Sequence, residues 1–360
     1  MSGFHLCLLG DANSVHVRRW AAEMLARGCK VSVVTARPAE LSGADQRVIA
    51  GVSRSTDWLF RVAETRQHLA DLAPDIVHAH YVTSYGFLAA RCAQRPLVMT
   101  AWGSDILLTP YQSRLKRWLT GWTLRQADLI TGDSLDLVAE IAAYRPRAEV
   151  RQIHWGVDMS RFRPSDWAAK RPFDVVSLRA WEPNYNIDVI VEAFAKCCRR
   201  AAQRSAHLHL LGGGSGEAVL RTQVRALGIE SRTTLHGRVD DAAMAAVLAA
   251  SKVSVSVPDS DATSVSVLES MAAGLPVVTS DLPANRQWLG AEDGVFVKAR
   301  DTDALATVLE SLQLDDDRAA RIGCRNHERM LRDGSRAVQM DLMFAMYESL
   351  LQTSPRRRAA

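Results

Sequence analysis

The sequence is poorest in the features that mark specialised classes of chain. No apolar run approaches the ~20 residues of a membrane-spanning helix. The N-terminus runs straight into an expected strand at 4–9, without the basic region, long apolar core and cleavage site of a leader. Six cysteines, at 7, 29, 92, 197, 198 and 324, follow none of the paired spacings of a metal site. They read as reduced thiols of a cytoplasmic protein. Charge surplus is small: 44 Lys and Arg against 40 Asp and Glu leave +4. The excess is spread along the chain except at Arg356, Arg357 and Arg358, so nothing supports a nucleic-acid partner. The turn at 9–16 lacks the several glycines of a dinucleotide fingerprint, which disfavours a nicotinamide or flavin cofactor.

What is present is a 360-residue chain, 48% hydrophobic, long enough for two full cores. Strand-like and helix-like segments alternate throughout, which predicts α/β domains with doubly wound parallel sheets. Strands are expected at 4–9, 30–35, 75–79, 96–101, 129–131 and 150–153, then at 173–178, 206–211, 233–235, 253–257 and 276–279. Helices are expected between them, notably at 15–27, 58–72, 84–93 and 113–126, and at 187–200, 216–227, 240–250 and 265–273. The turn-rich, charged stretch 153–164 divides two similar halves. The expected domains are 1–164, 165–334 and a closing segment 335–360 that carries a last helix and a basic tail.

The most informative segment is 253–288. Alternation at 253–257 predicts a half-buried strand, 258–263 breaks it, and 264–273 has helical spacing before Gly274 and Pro276 stop it. The unsatisfied amides near Ser264, Val265 and Ser266 then lie at the carboxyl end of the strand, where the helix dipole favours an anion. Asp261 in the loop and Glu269 in the helix can face one ligand.

This segment resembles the signature of glycosyltransferase family 4 (glycosyl transferases group 1), retaining enzymes of the GT-B fold. The family pattern is Glu, seven residues, Glu, then Met-Ala-x-Gly-x-Pro-Val-Val; here Asp261 and Glu269 precede Met271, Ala272, Ala273, Gly274, Leu275, Pro276, Val277 and Val278. The resemblance implies two Rossmann-like domains facing across a cleft, an acceptor-binding first domain and a nucleotide-sugar-binding second one. It further implies that the last helix crosses back onto the first domain. It assigns the donor sugar's hydroxyls to Asp261 and the ribose to Glu269. Asp261 is one carbon–carbon bond shorter than the usual Glu, roughly 1.5 Å. The stretch Gly156-Val157-Asp158 with Phe162 and Pro164 also resembles the family's linker.

The same resemblance places Arg179 at a diphosphate clamp and puts Tyr185 where the family has a second clamping Lys. A phenol donates one hydrogen bond there and brings no cation. Trp102, in Trp102-Gly103-Ser104-Asp105, stands where the family's His reaches the transferred sugar; the indole offers one donor and a wide face for stacking on a sugar or for packing. The run 212–216 joins strand to helix and permits close approach of phosphate or nucleotide at Gly213. His236-Gly237-Arg238-Val239 resembles the family's base-side turn, making Arg238 a base contact. Thr263, Ser264, Val265 and Ser266 complete the expected donor side.

In the first half, Asn13, Ser14 and His16 open the first helix, with Ser14 also fit to cap it. His78 and His80 share one face of their strand, leaving His80 either an acceptor-side contact or a structural histidine. Asp259-Ser260-Asp261 reads as Asp-x-Asp but coincides with the carboxylate position above, so no metal is expected. Helix 113–126 carries Leu115, Trp118, Leu119 and Trp122 on one face with Arg114, Lys116, Arg117 and Arg125 around it. That pattern fits a peripheral helix on an anionic inner membrane surface or ordinary packing onto the sheet.

The expected function is therefore transfer of a sugar from a nucleotide-diphosphate donor, UDP or GDP in type, to a hydroxyl acceptor: a saccharide, a lipid-linked saccharide or a small molecule. The resemblance sets this in bacterial polysaccharide or glycolipid assembly. The substitutions at Asp261, Tyr185 and Trp102 leave a second reading, a catalytically impaired sugar-nucleotide binding or regulatory subunit. Nucleotide-sugar epimerisation on the same architecture is a third.

Overall fold

The computed structural model describes residues 3–170, 173–200, 204–261, 263–290 and 294–353; the expected basic tail lies outside them. The chain divides into two compact units. One runs up to Trp155 and resumes at Gln339, and the other spans Gly156–Val338. Residues 156–164 thus go with the second unit.

In the first unit, β1 (His5–Leu9), β2 (Lys30–Thr35), β3 (Asp45–Val48), β4 (Ile76–His80), β5 (Leu97–Ala101), β6 (Leu129–Gly132) and β7 (Glu149–Gln152) form one sheet. The order is β3-β2-β1-β4-β5-β6-β7 and every pairing is parallel. Every residue of β1, β4, β5 and β6 is buried, as strands covered on both faces require. The polar edge strand β3, DQRV, was not expected from periodicity. It exists because its backbone pairs with β2, from Ser32 opposite Asp45 to Thr35 opposite Val48, and its charges suit an open edge.

Two helices expected to be continuous are interrupted. The first breaks at Arg61 into Asp57–Phe60 and Val62–Leu72. The second opens with a wide turn over Tyr81–Gly86 before Phe87–Cys92. Tyr81 has φ of 70°, a left-handed conformation that costs a bulky residue on the order of 1–3 kcal/mol. The buried Asp105 carboxylate holds the next amide, Val82, at 2.8 Å, together with the Trp102 amide at 3.0 Å.

The final helix, Arg336–Thr353, supplies core to the first unit from Gln339 onward. Phe344 and Tyr347 lie 5.5 and 5.7 Å from the ring of Phe4, and the Trp20 indole donates to the Tyr347 hydroxyl at 3.0 Å.

In the second unit, β8 (Asp174–Ser177), β9 (His207–Leu211), β10 (Thr233–Gly237), β11 (Val253–Ser256), β12 (Val277–Ser280) and β13 (Val295–Val297) pair in the order β10-β9-β8-β11-β12-β13, again all parallel. Val157 bridges to Ser335, with its amide on the Gly334 carbonyl at 2.8 Å, so entry and exit segments of this unit are clipped together. Cores lie on both faces: Phe173, Val175, Ile190, Phe194 and Leu309 on one, Val176, Leu268, Met271 and Val277 on the other. Both units are doubly wound, and each carries a point where the strand order reverses: β1/β4 in one, β8/β11 in the other.

Candidate functional site

In open parallel sheets, loops leaving adjacent strands diverge at the reversal point and open a crevice at the carboxyl ends. In the second unit those loops carry Arg179, two residues past β8, and Asp261, before the helix Val265–Ala272. Arg179 is 8% exposed. Its Nη1 donates to the Ser264 hydroxyl and, at 3.0 Å, to that of Ser266; its Nη2 donates to Asp261 Oδ2 at 2.7 Å. A guanidinium has five N–H donors, so two remain without a partner among the described residues. Its Cζ sits 4.2 Å from the centroid of the Tyr185 ring. Tyr185, expected as a one-bond donor in place of a Lys, also presents its π face to Arg179, a contact worth about 0.5–2 kcal/mol. The ring orients the one cation instead of supplying a second.

Ser264 is the N-cap of Val265–Ala272, but its side chain makes no cap bond, being taken by Arg179. The amides of Val267 and Leu268 reach the Ser264 carbonyl at 3.1 Å each, whereas those of Val265 and Ser266 have no acceptor among the described residues. Glu269 is buried and lies three residues after Ser266, on the same helix face. Thr263 precedes the cap and is half-buried. The two carboxylates of the Asp-x-Asp triplet diverge: Asp259 is held by Arg300 and by Asn186 at 2.9 Å, Asp261 by Arg179.

The glycine run after β9 proves to serve the backbone. Trp181 donates its amide to the Gly213 carbonyl at 3.1 Å and accepts from the Gly216 amide at 2.9 Å. Gly212 has φ of 143°, and a Cβ there would lie 2.4 Å from the Arg179 carbonyl oxygen. The run therefore presses on the segment that carries Arg179. Arg238 is exposed, with its aliphatic stem laid over Gly213. Gly212→Ala is expected to destabilise the second unit by about 1–3 kcal/mol and to weaken nucleotide binding with it. Unchanged melting and unchanged calorimetric affinity would refute the packing role.

At the reversal point of the first unit, three of the five sequence candidates come together. His16 stacks on Trp102 with centroids 4.5 Å apart, and Trp102 donates its indole N–H to His80 Nδ1 at 3.2 Å. An indole only donates, so Nδ1 of His80 accepts and the proton of the neutral ring sits on Nε2. That Nε2 is buried and has no partner among the described residues. Asn13 is exposed and Ser14 serves as N-cap, accepting from the His16 amide at 3.3 Å.

Sequence reasoning missed the rest of the cluster. Trp20 lies edge-on to His78 and His80 and stacks on Trp155 at 5.4 Å; its spacing of four from His16 was the available signal. His78 bonds Tyr347 at 2.5 Å and Thr100 at 2.6 Å, and Thr100 bonds Thr131 at 2.6 Å, a chain no local pattern announces. Burial, reinforced by the Arg19 charge, pushes His16 down to about 4; burial likewise pushes His80 down to about 3 and drives His78 well below its ordinary value. All three rings are neutral near pH 7. Among the described residues no group of three His, Cys, Asp or Glu side chains is disposed to hold a metal.

Comparison with known proteins matches residues 5–134 to the family described as glycosyl transferase 4-like and residues 159–329 to glycosyl transferases group 1. The chain is 27% identical over 365 residues to D-inositol 3-phosphate glycosyltransferase of Nocardia farcinica, covering 88% of this chain and 80% of that one. It is 28% identical over 326 residues to phosphatidyl-myo-inositol mannosyltransferase of Mycobacterium leprae, covering 84% and 83%. Among solved structures it shares its fold with sucrose-phosphate synthase of Thermosynechococcus elongatus, with a TM-score of 0.81 at 18% identity over 98% of this chain and 100% of the other. It also shares it with Anabaena HepE in complex with UDP, with a TM-score of 0.78 at 17% identity over 97% and 100%.

Proposed function

Because the chain belongs to the group 1 glycosyltransferases of the GT-B fold, we propose that it is a retaining, metal-independent member that moves a sugar from a UDP or GDP donor to a hydroxyl acceptor. The observation that carries this reading is the buried Arg179, fixed by Ser264, Ser266, Asp261 and Tyr185 with two donors left open beside the unsatisfied amides of Val265 and Ser266. Such an array stabilises the negative charge that gathers on the departing diphosphate, the term a metal would otherwise supply.

In this reading Asp261 binds the sugar's hydroxyls, Glu269 the ribose, and Arg238 with Gly213 flanks the base. Thr263 lines the donor side with the helix start. Asn13, Ser14, His16, His80 and Trp102 form the acceptor side, where His80 Nε2–H is a fixed donor. The bond from the anomeric carbon to the phosphate oxygen breaks as the acceptor oxygen bonds on the same face. The acceptor's proton passes to the leaving phosphate oxygen, so the enzyme needs no nucleophile of its own. The relatives' names, an inositol phosphate glycosyltransferase and a phosphatidylinositol mannosyltransferase, support phosphorylated or lipid-linked acceptors and a place in bacterial polysaccharide or glycolipid assembly. A peripheral position at the inner membrane surface belongs to the same reading. It is compatible with the described residues, in which no helix is long and apolar enough to cross a membrane.

Calorimetry with UDP, GDP and ADP on the wild type and on Glu269→Ala tests it. One uridine or guanosine diphosphate is expected to bind, and Glu269→Ala to weaken it by about 2–3 kcal/mol, roughly 30- to 160-fold, since a charged acceptor of ribose hydroxyl bonds is lost. Absence of binding by all three would sink the donor site. Binding of the sugar nucleotide without release of its diphosphate in the presence of acceptors would mark a binding subunit instead.

A further inference from the structure

Helix Arg114–Leu124 of the first unit buries Thr120, Gly121, Thr123 and Leu124. The apolar face noted in the sequence is only partly packed: Trp122 lies against the core, 6.2 Å from the ring of Phe87, whereas Leu115 is 70% and Trp118 62% exposed, next to Leu108 and Tyr111 at 64% and 56%. Beside Trp118 lies a cavity of about 630 Å³ lined by Arg114, Arg117, Arg125 and Arg145. None of these four makes an ion pair among the described residues, and Arg117 only stacks at 5.5 Å on Tyr111. Arginines elsewhere on the surface include paired ones, Arg221 with Glu217, Arg286 with Asp281 and Arg300 with Asp259; what sets these four apart is that they surround one hollow. Four guanidinium groups without an ion pair around one hollow, with Glu140 the carboxylate near its Tyr144 wall, leave a net positive charge that draws an anion.

Tyr144 forms a wall of the same cavity. A Cβ on Gly121 would stand 3.0 Å from its Cδ1, so the glycine is what lets the ring lie against the helix. The Tyr144 hydroxyl is shielded and has no partner among the described residues.

We propose that this pocket receives the phosphate of an anionic phospholipid headgroup, while Trp118 and Leu115 enter the membrane interface beside it. The argument rests on the peripheral reading above and names its site. Charge complementarity selects the phosphate, and the exposed indole and leucine beside it select a membrane over a soluble anion. The donor chemistry of the second unit plays no part.

The test is flotation of the full chain with vesicles of phosphatidylcholine alone and of equal parts phosphatidylcholine and phosphatidylglycerol. Binding is expected only to the anionic vesicles and is expected to vanish at about 1 M salt, where screening acts within about 3 Å. Arg117→Ala with Arg145→Ala should weaken it roughly 25-fold, about fivefold per guanidinium, and Trp118→Ala should weaken it too. Arg221→Ala with Arg225→Ala, on a helix of the second unit, should leave it unchanged. Melting curves and nucleotide binding equal to wild type show that the pocket variants are folded. No preference for anionic vesicles overturns both the pocket and the peripheral reading. Equal binding by wild type and the Arg117/Arg145 variant overturns the pocket alone. Calorimetric binding of glycerol phosphate without vesicle binding overturns the membrane assignment in favour of a soluble phosphate. Sugar transfer is scored separately, so its failure is distinguishable from all of these.

Discussion

Arg179→Ala is expected to lower turnover by about 10²–10³-fold, the loss found when one preorganised donor is withdrawn from a developing negative charge. The reason is the number of bonds that pass through this side chain. It joins Ser264 and Ser266 at the helix start to Asp261 in the loop, and its Cζ lies over the Tyr185 ring. Arg179→Lys keeps the charge but not the planar fork and should recover only part of the rate. Tyr185→Phe, which keeps the face under the guanidinium, should stay near wild type, while Tyr185→Ala should fall with the arginine variants. Release of nucleoside diphosphate from the donor identified by calorimetry is the measurement. Arg179→Ala activity within about threefold of wild type would remove it from the proposed machinery.

The second large effect is acid lability of the first unit. His16 and His80 are held down to about 4 and about 3, chiefly by burial, and His78 is lowered well below its usual value for the same reason. Each ring binds its proton more readily unfolded than folded. The stability of the neutral cluster is therefore complete above ~6.5 and is lost as pH falls toward the folded values. At about pH 5 the cost is on the order of 2 kcal/mol for His16 and again for His80. His5, also lowered by burial, adds in the same direction. For a unit of this size a loss near 4 kcal/mol lowers the melting temperature by roughly 10 °C between about pH 7.5 and about pH 5. His16→Phe should flatten that fall by about half its histidine share. Identical melting at the two pH values would contradict the buried neutral cluster.

The two sites differ in how far the sequence announced them. The proposed donor side was legible because its parts are local: strand, polar loop and helix start occur within residues 253–273, and Asp261, Ser264, Ser266 and Glu269 are read off in order. Arg179 lies far away in the chain but just past a strand of apolar residues, and parallel pairing of β8 with β11 brings it to the same edge. That the ring of Tyr185 faces Arg179 was not legible, because a stacking face leaves no spacing signal. The glycine run was visible, yet its contact with Trp181 and Arg179 depends on how the β9 loop folds back.

In the first unit the imidazole, indole and phenol residues of the cluster come from β4, the loop after β5, the first helix, the linker at Trp155 and, for Tyr347, the final helix. Only the pair His78 and His80 was visible as a pair, because alternation is local. The short helix Ser104–Leu107, with Asp105 reaching back to two amides, is too brief for any periodicity to show.

The sequence by itself determined the alternating α/β order, the continuous apolar runs that become buried parallel strands, and the strand, loop and helix start that carry Asp261 and Glu269. These follow from periods of two and 3.6 residues and from breakers at fixed positions, which act within a few residues. Only the tertiary structure decided that Tyr185 lies under Arg179, that three histidines are kept neutral among tryptophans, and that Leu115 and Trp118 point outward while Thr120 and Leu124 are buried. Each depends on what a side chain meets across the fold: desolvation, stacking and the choice of packed face are fixed by neighbours tens to hundreds of residues away.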